Sequence, residues 1–228
     1  MGIAPGSLPP AALPFADRAA AGLLLAAAVK ADAVASARAF PAERRLVLAL
    51  PRGGVPVAKK VAAVLSAPLD VIVIRKIGHP RQPELGLGAI AEGGHGPVLD
   101  ESLLERLRLT PDDLRDVVDA ETAELRRRVL VYRGGRPMPS VRGKQVIVVD
   151  DGLATGGTAR AALRSLRAAG AGSLVLAVPV AARSAARALA AEADRLVALA
   201  TPSRFSSVGE WYVTFGQLSD ADVLALLA

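Results

Sequence analysis

The stretch from Gln145 to Thr158 constrains the fold of this chain more than any other part of the sequence. It opens with four consecutive β-branched residues, Val146-Ile147-Val148-Val149, which predict a strand buried on both faces, as in a parallel sheet. Asp150 and Asp151 follow at the C-terminal end of that strand, where open α/β sheets bind their ligands. A loop of small residues then leads into an amphipathic helix that begins at about Thr158. The stretch therefore predicts an α/β fold with a ligand site at this strand end.

The loop before Thr158 is suited to a phosphate group. Main-chain N–H groups of a glycine-rich loop and the N-terminus of the next helix converge on one point and attract an anion. The two carboxylates would repel a phosphate and suit hydroxyl donors or a divalent cation instead. A ligand with a phosphate beside a diol, such as a ribose 5-phosphate, fits both the loop and the carboxylates. No Lys follows Gly157 and the glycines do not form G-x-G-x-x-G, which argues against a P-loop and a dinucleotide fingerprint.

This stretch resembles the phosphoribosyl diphosphate (PRPP) signature of type I phosphoribosyltransferases, in which an apolar strand, two acidic residues and a Gly/Ala-Thr-Gly-Gly/Ala-Thr loop follow one another. The resemblance implies an α/β fold: a Rossmann-like twisted parallel sheet of about five strands flanked by helices, with a small C-terminal or hood appendage. It implies that Asp150 and Asp151 hold the ribose hydroxyls and that Mg²⁺ accompanies PRPP, largely through substrate and water oxygens. The 5-phosphate would lie on Ala154, Thr155, Gly156, Gly157 and Thr158.

A second loop, Pro51-Arg52-Gly53-Gly54, follows a strand predicted over residues 46–50. An arginine beside two glycines presents a guanidinium and bare N–H groups to a second anion, although a tight turn explains the glycines equally well. The loop resembles the pyrophosphate loop of the same family, which implies a non-proline cis peptide near Arg52-Gly53. Lys76, at the end of a strand predicted over 70–74, either joins Arg52, Gly53 and Gly54 in holding the pyrophosphate or ends the strand in solvent.

Residues 77–96 contain six glycines and several charges, which predicts a flexible loop beside the site, with a short strand over 87–90. Type I phosphoribosyltransferases carry at this place a loop that closes over PRPP. The spacing of residues does not select a general acid or base. Asp151 and Lys76 are the leading catalytic candidates, and Glu84 and Glu92 stay open beside them.

The C-terminal region holds four of the seven aromatic residues, namely Phe205, Trp211, Tyr212 and Phe215. They either pack the tail onto the sheet or stack on an acceptor ring. Type I phosphoribosyltransferases recognise the acceptor with a variable hood, so residues 200–228 are a candidate hood in which Trp211 and Tyr212 bind the acceptor.

The 228 residues are expected to form a single phosphoribosyltransferase domain, with a loose proline-containing arm over residues 1–14. The apolar run over 19–29 is shorter than the about 20 residues of a membrane span and predicts a buried helix, with Asp17 as its N-cap. The absence of cysteine excludes disulfides and thiolate sites and fits a cytoplasmic location.

The net charge of +6 allows a nucleic-acid partner, but the arginines over 126–142 are better explained as solvated charges. The resemblance to type I phosphoribosyltransferases implies an enzyme that transfers ribose 5-phosphate from PRPP to an unidentified small-molecule acceptor, a nitrogenous base, with release of pyrophosphate. A non-catalytic PRPP sensor is the alternative, and a nucleic-acid-binding protein is a remote one. No membrane partner is expected, and the resemblance implies a homodimer.

Overall fold

The computed structural model describes residues 13–35, 40–94 and 96–228. Its main sheet is parallel and has the strand order β2-β1-β6-β7-β8. The strands of this sheet are β1 (Arg45–Ala49), β2 (Leu69–Val71), β6 (Gln145–Val149), β7 (Ser173–Val180) and β8 (Arg195–Ala200). A second, antiparallel sheet is formed by β3 (Ile74–His79), β4 (Gln82–Ala91) and β5 (Pro97–Leu99).

Helices connect the strands and cover both faces of the main sheet, as right-handed crossovers between parallel strands require. They are α1 (Arg18–Ala35), α2 (Gly54–Leu65), α3 (Glu101–Leu107), α4 (Arg115–Arg133), α5 (Gly157–Ala168), α6 (Arg183–Leu189) and α7 (Asp220–Leu227).

The core has two layers because successive side chains of a strand point to opposite faces of the sheet. Val47, Ala49 and Ile147 pack on the face covered by α1 and α2. Leu48 and Val148 pack on the opposite face, which α5 and α6 cover. Strands buried on both faces must be apolar throughout, which explains the unbroken apolar runs that predict them.

The predicted α/β fold is confirmed. The strand predicted over 46–50 is β1, and the strand before Asp150 is β6. The main-chain N–H of Ala20 donates to Asp17 Oδ1 at 2.7 Å, so Asp17 caps α1 as predicted.

The prediction of a loop over residues 77–96 is wrong for most of its length, which forms the antiparallel hairpin β3–β4. The short strand predicted over 87–90 is confirmed, since it lies within β4. The strand predicted over 70–74 is also divided: β2 ends at Val71, and β3 begins at Ile74 in the other sheet. The small appendage therefore includes a sheet from the middle of the chain and not only the C-terminal residues. Mobility of this segment stays a prediction.

The tail after β8 contains no strand and crosses the C-terminal end of the main sheet. It joins the start of the chain, since the Phe15 N–H donates to the Trp211 carbonyl and the Val213 N–H donates to the Phe15 carbonyl, both at 2.8 Å. The predicted loose arm lies mostly outside the described residues. Within them, no helix is long and apolar enough to cross a membrane.

Candidate active site

The two predicted anion loops meet at the C-terminal edge of the main sheet. Strands β1 and β6 are parallel neighbours in register from Arg45–Gln145 to Ala49–Val149, so the loops that follow them lie side by side. Gly53 lies so close to the Asp151 carboxylate that a β-carbon at this position would overlap with it. A cis peptide bond is present between Pro51 and Arg52, one bond before the predicted place.

The loop from Ala154 to Thr158 presents main-chain N–H groups to solvent. Leu153 anchors this loop, because its N–H donates to Val180 at 2.9 Å and its carbonyl accepts from Ala182 at 2.8 Å. Gly156 has a φ of 77° and ends the loop as the N-cap of α5. Thr155, Gly157 and Thr158 are exposed, and no described residue accepts a hydrogen bond from the N–H groups of 154–158. Unpaired N–H groups at a helix N-terminus form an anion site.

Asp150 and Asp151 stand side by side next to this anion site. The N–H of Asp151 donates to Asp150 Oδ1 at 2.9 Å. Burial, followed by the neighbouring Asp151 charge, raises the pKa of Asp150. Burial also raises the pKa of Asp151, while the Arg18 guanidinium acts in the opposite direction. Carboxylates in such a place accept hydrogen bonds from hydroxyl groups.

Arg18, in the first turn of α1, was not found by sequence reasoning. Its Nε donates to Asp151 Oδ2 at 2.8 Å, although the two residues are 133 positions apart. Its Nη1 donates to the Gly216 carbonyl at 2.8 Å, and its guanidinium carbon lies 3.8 Å from the centre of the Phe215 ring. No local sequence pattern predicts this contact, since an arginine at the start of a helix is usually solvated.

Tyr212 is buried and supports the main chain of Asp151 from the tail. Its hydroxyl donates to the Asp151 carbonyl at 2.5 Å. Burial, followed by the Asp151 charge, raises the pKa of this hydroxyl, which keeps it protonated as a donor. The ring packs between Phe15 and Phe215, with centroid distances of 5.6 and 5.1 Å. Trp211 is partly buried and stacks on Phe205 at 6.1 Å.

The Arg52 side chain is 38% exposed and faces the first residue of α7. Its Nη1 lies 3.8 Å from Asp220 Oδ1, and Arg127 Nη2 lies 3.8 Å from Asp220 Oδ2. The Tyr132 hydroxyl donates to the same carboxylate at 2.6 Å. Burial and the Asp220 carboxylate raise the pKa of Tyr132 to about 12. Two guanidinium groups thus share one carboxylate at the edge of the site.

Lys76 and Glu84 lie on the second sheet, away from these loops. Lys76 Nζ donates to the Glu84 carbonyl at 2.6 Å. Both residues line a cleft of about 550 Å³ between the second sheet and α4, beside Asp116 and Glu121. In the described residues, no hydrogen bond or ion pair joins Lys76 or Glu84 to the loops over 51–54 and 150–158.

Glu92 follows β4 and is paired with the buried Arg133 of α4. Its carboxylate also accepts from the Val73 N–H at 3.4 Å. Burial raises the pKa of Glu92 in spite of Arg133. These contacts give Glu92 a role in joining the second sheet to the main sheet.

The described residues contain no group of three or more His, Asp or Glu side chains arranged to hold a metal ion. Asp150 and Asp151 are the acidic side chains beside the phosphate loop. A divalent ion at this edge would therefore take most of its oxygen ligands from the ligand and from water, which suits Mg²⁺.

Three comparisons agree with this geometry. The family model for the phosphoribosyl transferase domain matches residues 17–209. Two Mycobacterium tuberculosis proteins, from strains CDC 1551 and H37Rv, both named "Putative phosphoribosyl transferase", are 46% identical over 182 residues, or 80% of this chain. This chain spans 41% of the length of those relatives.

The crystal structure of TT1426 from Thermus thermophilus has 41% sequence identity and a TM-score of 0.77. The likeness covers 93% of this chain and 97% of that one. The family match includes both anion loops and Asp150 and Asp151 between them. A parallel five-stranded sheet, two adjoining anion loops and a match over most of the chain lead to one conclusion: this protein belongs to the phosphoribosyltransferase family.

Proposed function

We propose that this protein binds PRPP with Mg²⁺ and transfers its ribose 5-phosphate to a small acceptor, a nitrogenous base, with release of pyrophosphate. The observation that carries the proposal is the contact of Gly53, in the first anion loop, with the carboxylate of Asp151, in the second. One ligand with a phosphate, a diol and a diphosphate would satisfy both loops together.

In this proposal each part of the site holds one part of PRPP. The free N–H groups and hydroxyls of the segment from Ala154 to Thr158 hold the 5-phosphate. Asp150 and Asp151 accept from the ribose hydroxyls. Arg52, Gly53 and Gly54 hold the diphosphate, which would compete with Asp220 for the Arg52 guanidinium. Mg²⁺, when bound, offsets the charge of the diphosphate.

The reaction is attack of the acceptor on the anomeric carbon while the bond to pyrophosphate breaks. The transition state resembles an oxocarbenium ion, so positioning and charge stabilisation supply most of the rate enhancement. Asp151, beside the ribose, is the acid proposed to stabilise this charge. Lys76 would join the diphosphate only if the second sheet closes over PRPP. Trp211 and Tyr212 stay the candidates for binding the acceptor, and self-association as a homodimer stays a prediction.

Calorimetric titration with PRPP and MgCl₂, followed by a pyrophosphate-release assay over a set of bases, tests the proposal. We expect Asp151→Asn or Thr155→Ala to weaken PRPP binding by about a hundredfold or more, because each removes a group that contacts the ligand. Asp112→Asn is the matched control, since that carboxylate is 82% exposed and distant from the loops in the fold. Wild-type affinity in folded Asp151→Asn or Thr155→Ala protein contradicts the proposal.

Arg52→Ala separates the two halves of the ligand. We expect it to lower the affinity for pyrophosphate about tenfold and the affinity for ribose 5-phosphate by less than about twofold. The reason is that the guanidinium is assigned to the diphosphate alone. Equal losses for the two ligands would contradict the assignment of residues 51–54.

The same assay distinguishes the alternative functions. PRPP binding without pyrophosphate release from any base favours the non-catalytic sensor. The nucleic-acid alternative has less support, because part of the arginine cluster over 126–142 is already engaged: Arg127 and Arg128 both donate to Glu124, and Arg133 is buried. Salt-dependent binding of an oligonucleotide would favour that alternative.

A further inference from the structure

We propose that Arg18 is a positioning residue for ribose recognition, which orients the Asp151 carboxylate and offsets its charge so that a polyanionic sugar phosphate can approach. This inference deepens the proposed function and rests on it. The residue lies at the start of α1, outside both anion loops.

The contact between Arg18 and Asp151 is direct and shielded from water. Nε of Arg18 lies 2.8 Å from Oδ2 of Asp151, and the two side chains are 12% and 13% exposed. A shielded ion pair with hydrogen-bond geometry restricts the carboxylate to one orientation more firmly than an exposed pair does. A carboxylate has about four lone-pair sites, so one bond from Arg18 leaves acceptor capacity for ribose hydroxyls.

Two further contacts hold the guanidinium whether or not Asp151 binds a ligand. Nη1 donates to the Gly216 carbonyl, and the guanidinium lies over the Phe215 ring at 3.8 Å. Tyr212 fixes the main chain of Asp151 from the same segment of the tail. Because Arg18 is anchored to the tail, it stays beside Asp151 when a ligand binds and acts as a permanent support.

Charge gives the second part of the argument. Asp150 and Asp151 are adjacent carboxyl groups, and any negative charge on them repels a ligand that is itself strongly anionic. Like charges at short range in a partly buried site repel strongly. The charged or titratable groups that face Asp151 are Arg18 from α1, Asp150 from its own loop and Tyr212 from the tail. Arg52, in the neighbouring loop, faces Asp220 instead. Arg18 is therefore the cation that offsets this pair.

The test compares Arg18→Gln and Arg18→Met, which remove the charge, with Arg18→Lys, which keeps it. Met also retains an apolar stem against Phe215, so it serves as the second neutral variant if Gln perturbs folding. Arg195→Gln is the matched control. Arg195 begins β8 and pairs at 2.5 Å with Asp32, which lies on α1 like Arg18, and this pair is distant from the anion loops. Calorimetry on the full chain measures the affinity for PRPP, ribose 5-phosphate and pyrophosphate across a pH series.

We expect the neutral variants to lower the affinities for PRPP and ribose 5-phosphate alike, by roughly tenfold or more, and the affinity for pyrophosphate by less than about twofold. Arg18→Lys should recover most of the loss. Without Arg18 the pKa of Asp151 rises further, so the carboxylate forms only at higher pH. The pH below which the affinity for PRPP falls, here the acid limb, should therefore be higher in Arg18→Gln and Arg18→Met than in the wild type. It should not change in Arg195→Gln.

The outcomes separate this inference from the proposed function. Wild-type protein that binds no PRPP overturns both. Wild-type binding together with unchanged affinity in the neutral variants overturns the role of Arg18 alone. Equal losses for ribose 5-phosphate and pyrophosphate, or an unmoved acid limb, would assign Arg18 a purely structural role and also overturn the inference.

Discussion

Asp151 meets groups from four parts of the chain. Arg18 reaches it from α1, Gly53 from the loop after β1, and Tyr212 from the tail, while Asp150 precedes it in its own loop after β6. The acidic pair and its loop could be predicted from the sequence because their residues are consecutive. The contacts of Arg18 and Tyr212 could not, because their separations of 133 and 61 residues leave no local pattern.

Gly156 and Gly157 form a matched pair for a stability test. Gly156 has a φ of 77°, which side-chain-bearing residues rarely adopt, and a β-carbon there would lie 2.6 Å from Leu189 Cδ1. Leu189 can yield at its flexible end, so most of the cost comes from the backbone. We expect Gly156→Ala to lower the free energy of unfolding by about 1–2 kcal/mol. Urea unfolding measures the change.

Gly157→Ala is the control for that experiment, since a β-carbon at Gly157 meets no atom within 4 Å. Alanine is favoured over glycine inside a helix by about 1 kcal/mol, so this variant should be as stable as the wild type or more stable. A Gly156→Ala protein as stable as Gly157→Ala would show that the positive φ at 156 is not required.

At the scale of elements, the parallel strands could be predicted because each is a continuous apolar run. Of the second sheet only part of β4 was predicted, because the glycines of this segment resemble those of a loop. A β-carbon at Gly78 would overlap with the Pro83 carbonyl, and one at Gly88 would overlap with the Val98 carbonyl. These glycines therefore permit close approach between neighbouring backbone segments. The sequence does not distinguish glycines in this role from glycines that make a loop flexible.

The buried Arg133 joins the second sheet to the main sheet. It pairs with Glu92, after β4, and its Nε lies 3.8 Å from Asp70 Oδ1 in β2. We expect Arg133→Met to lower the free energy of unfolding by roughly 3 kcal/mol at neutral pH, because it leaves buried carboxylates without their cation. Without Arg133 the pKa of Glu92 rises further, so Glu92 takes up its proton at a higher pH than in the wild type. The loss should then be smaller at acidic than at neutral pH.

Arg115→Met provides the comparison, because Arg115 lies at the other end of α4 and pairs with Asp112 in solvent. An exposed pair contributes at most about 1 kcal/mol. Urea unfolding at two pH values measures both variants. A loss from Arg133→Met that is no larger than that from Arg115→Met, or that does not change with pH, would argue against the structural role of the Arg133–Glu92 pair.

At the scale of the whole molecule, the two sheets differ in how firmly they are held. All five residues of β6 are buried, and β6 lies between β1 and β7. In contrast, β3 has register shifts against β4, and β5 has only three residues. We expect amide hydrogens of β3 and β4 to exchange at least about tenfold faster than those of β6, since weakly packed elements open at lower free energy.

The same exchange experiment tests closure of the second sheet over the site. Addition of PRPP and Mg²⁺ should slow exchange over residues 74–91. Ribose 5-phosphate, which lacks the diphosphate group, should slow it less. Exchange in this segment that is unchanged by PRPP would contradict a closing role and would remove Lys76 from the pyrophosphate side of the site.

The contact of Tyr212 with Asp151 also has a consequence for how the protein is made. Asp151 leaves the ribosome 61 residues before the tyrosine whose hydroxyl supports it. At a synthesis rate of about 5–20 residues per second, this interval is roughly 3–12 seconds. During that time the phosphate loop can already form on β6, while the main chain of Asp151 beside it lacks its hydrogen bond from Tyr212. A nascent chain is therefore expected to bind ribose phosphates only after Tyr212 has emerged.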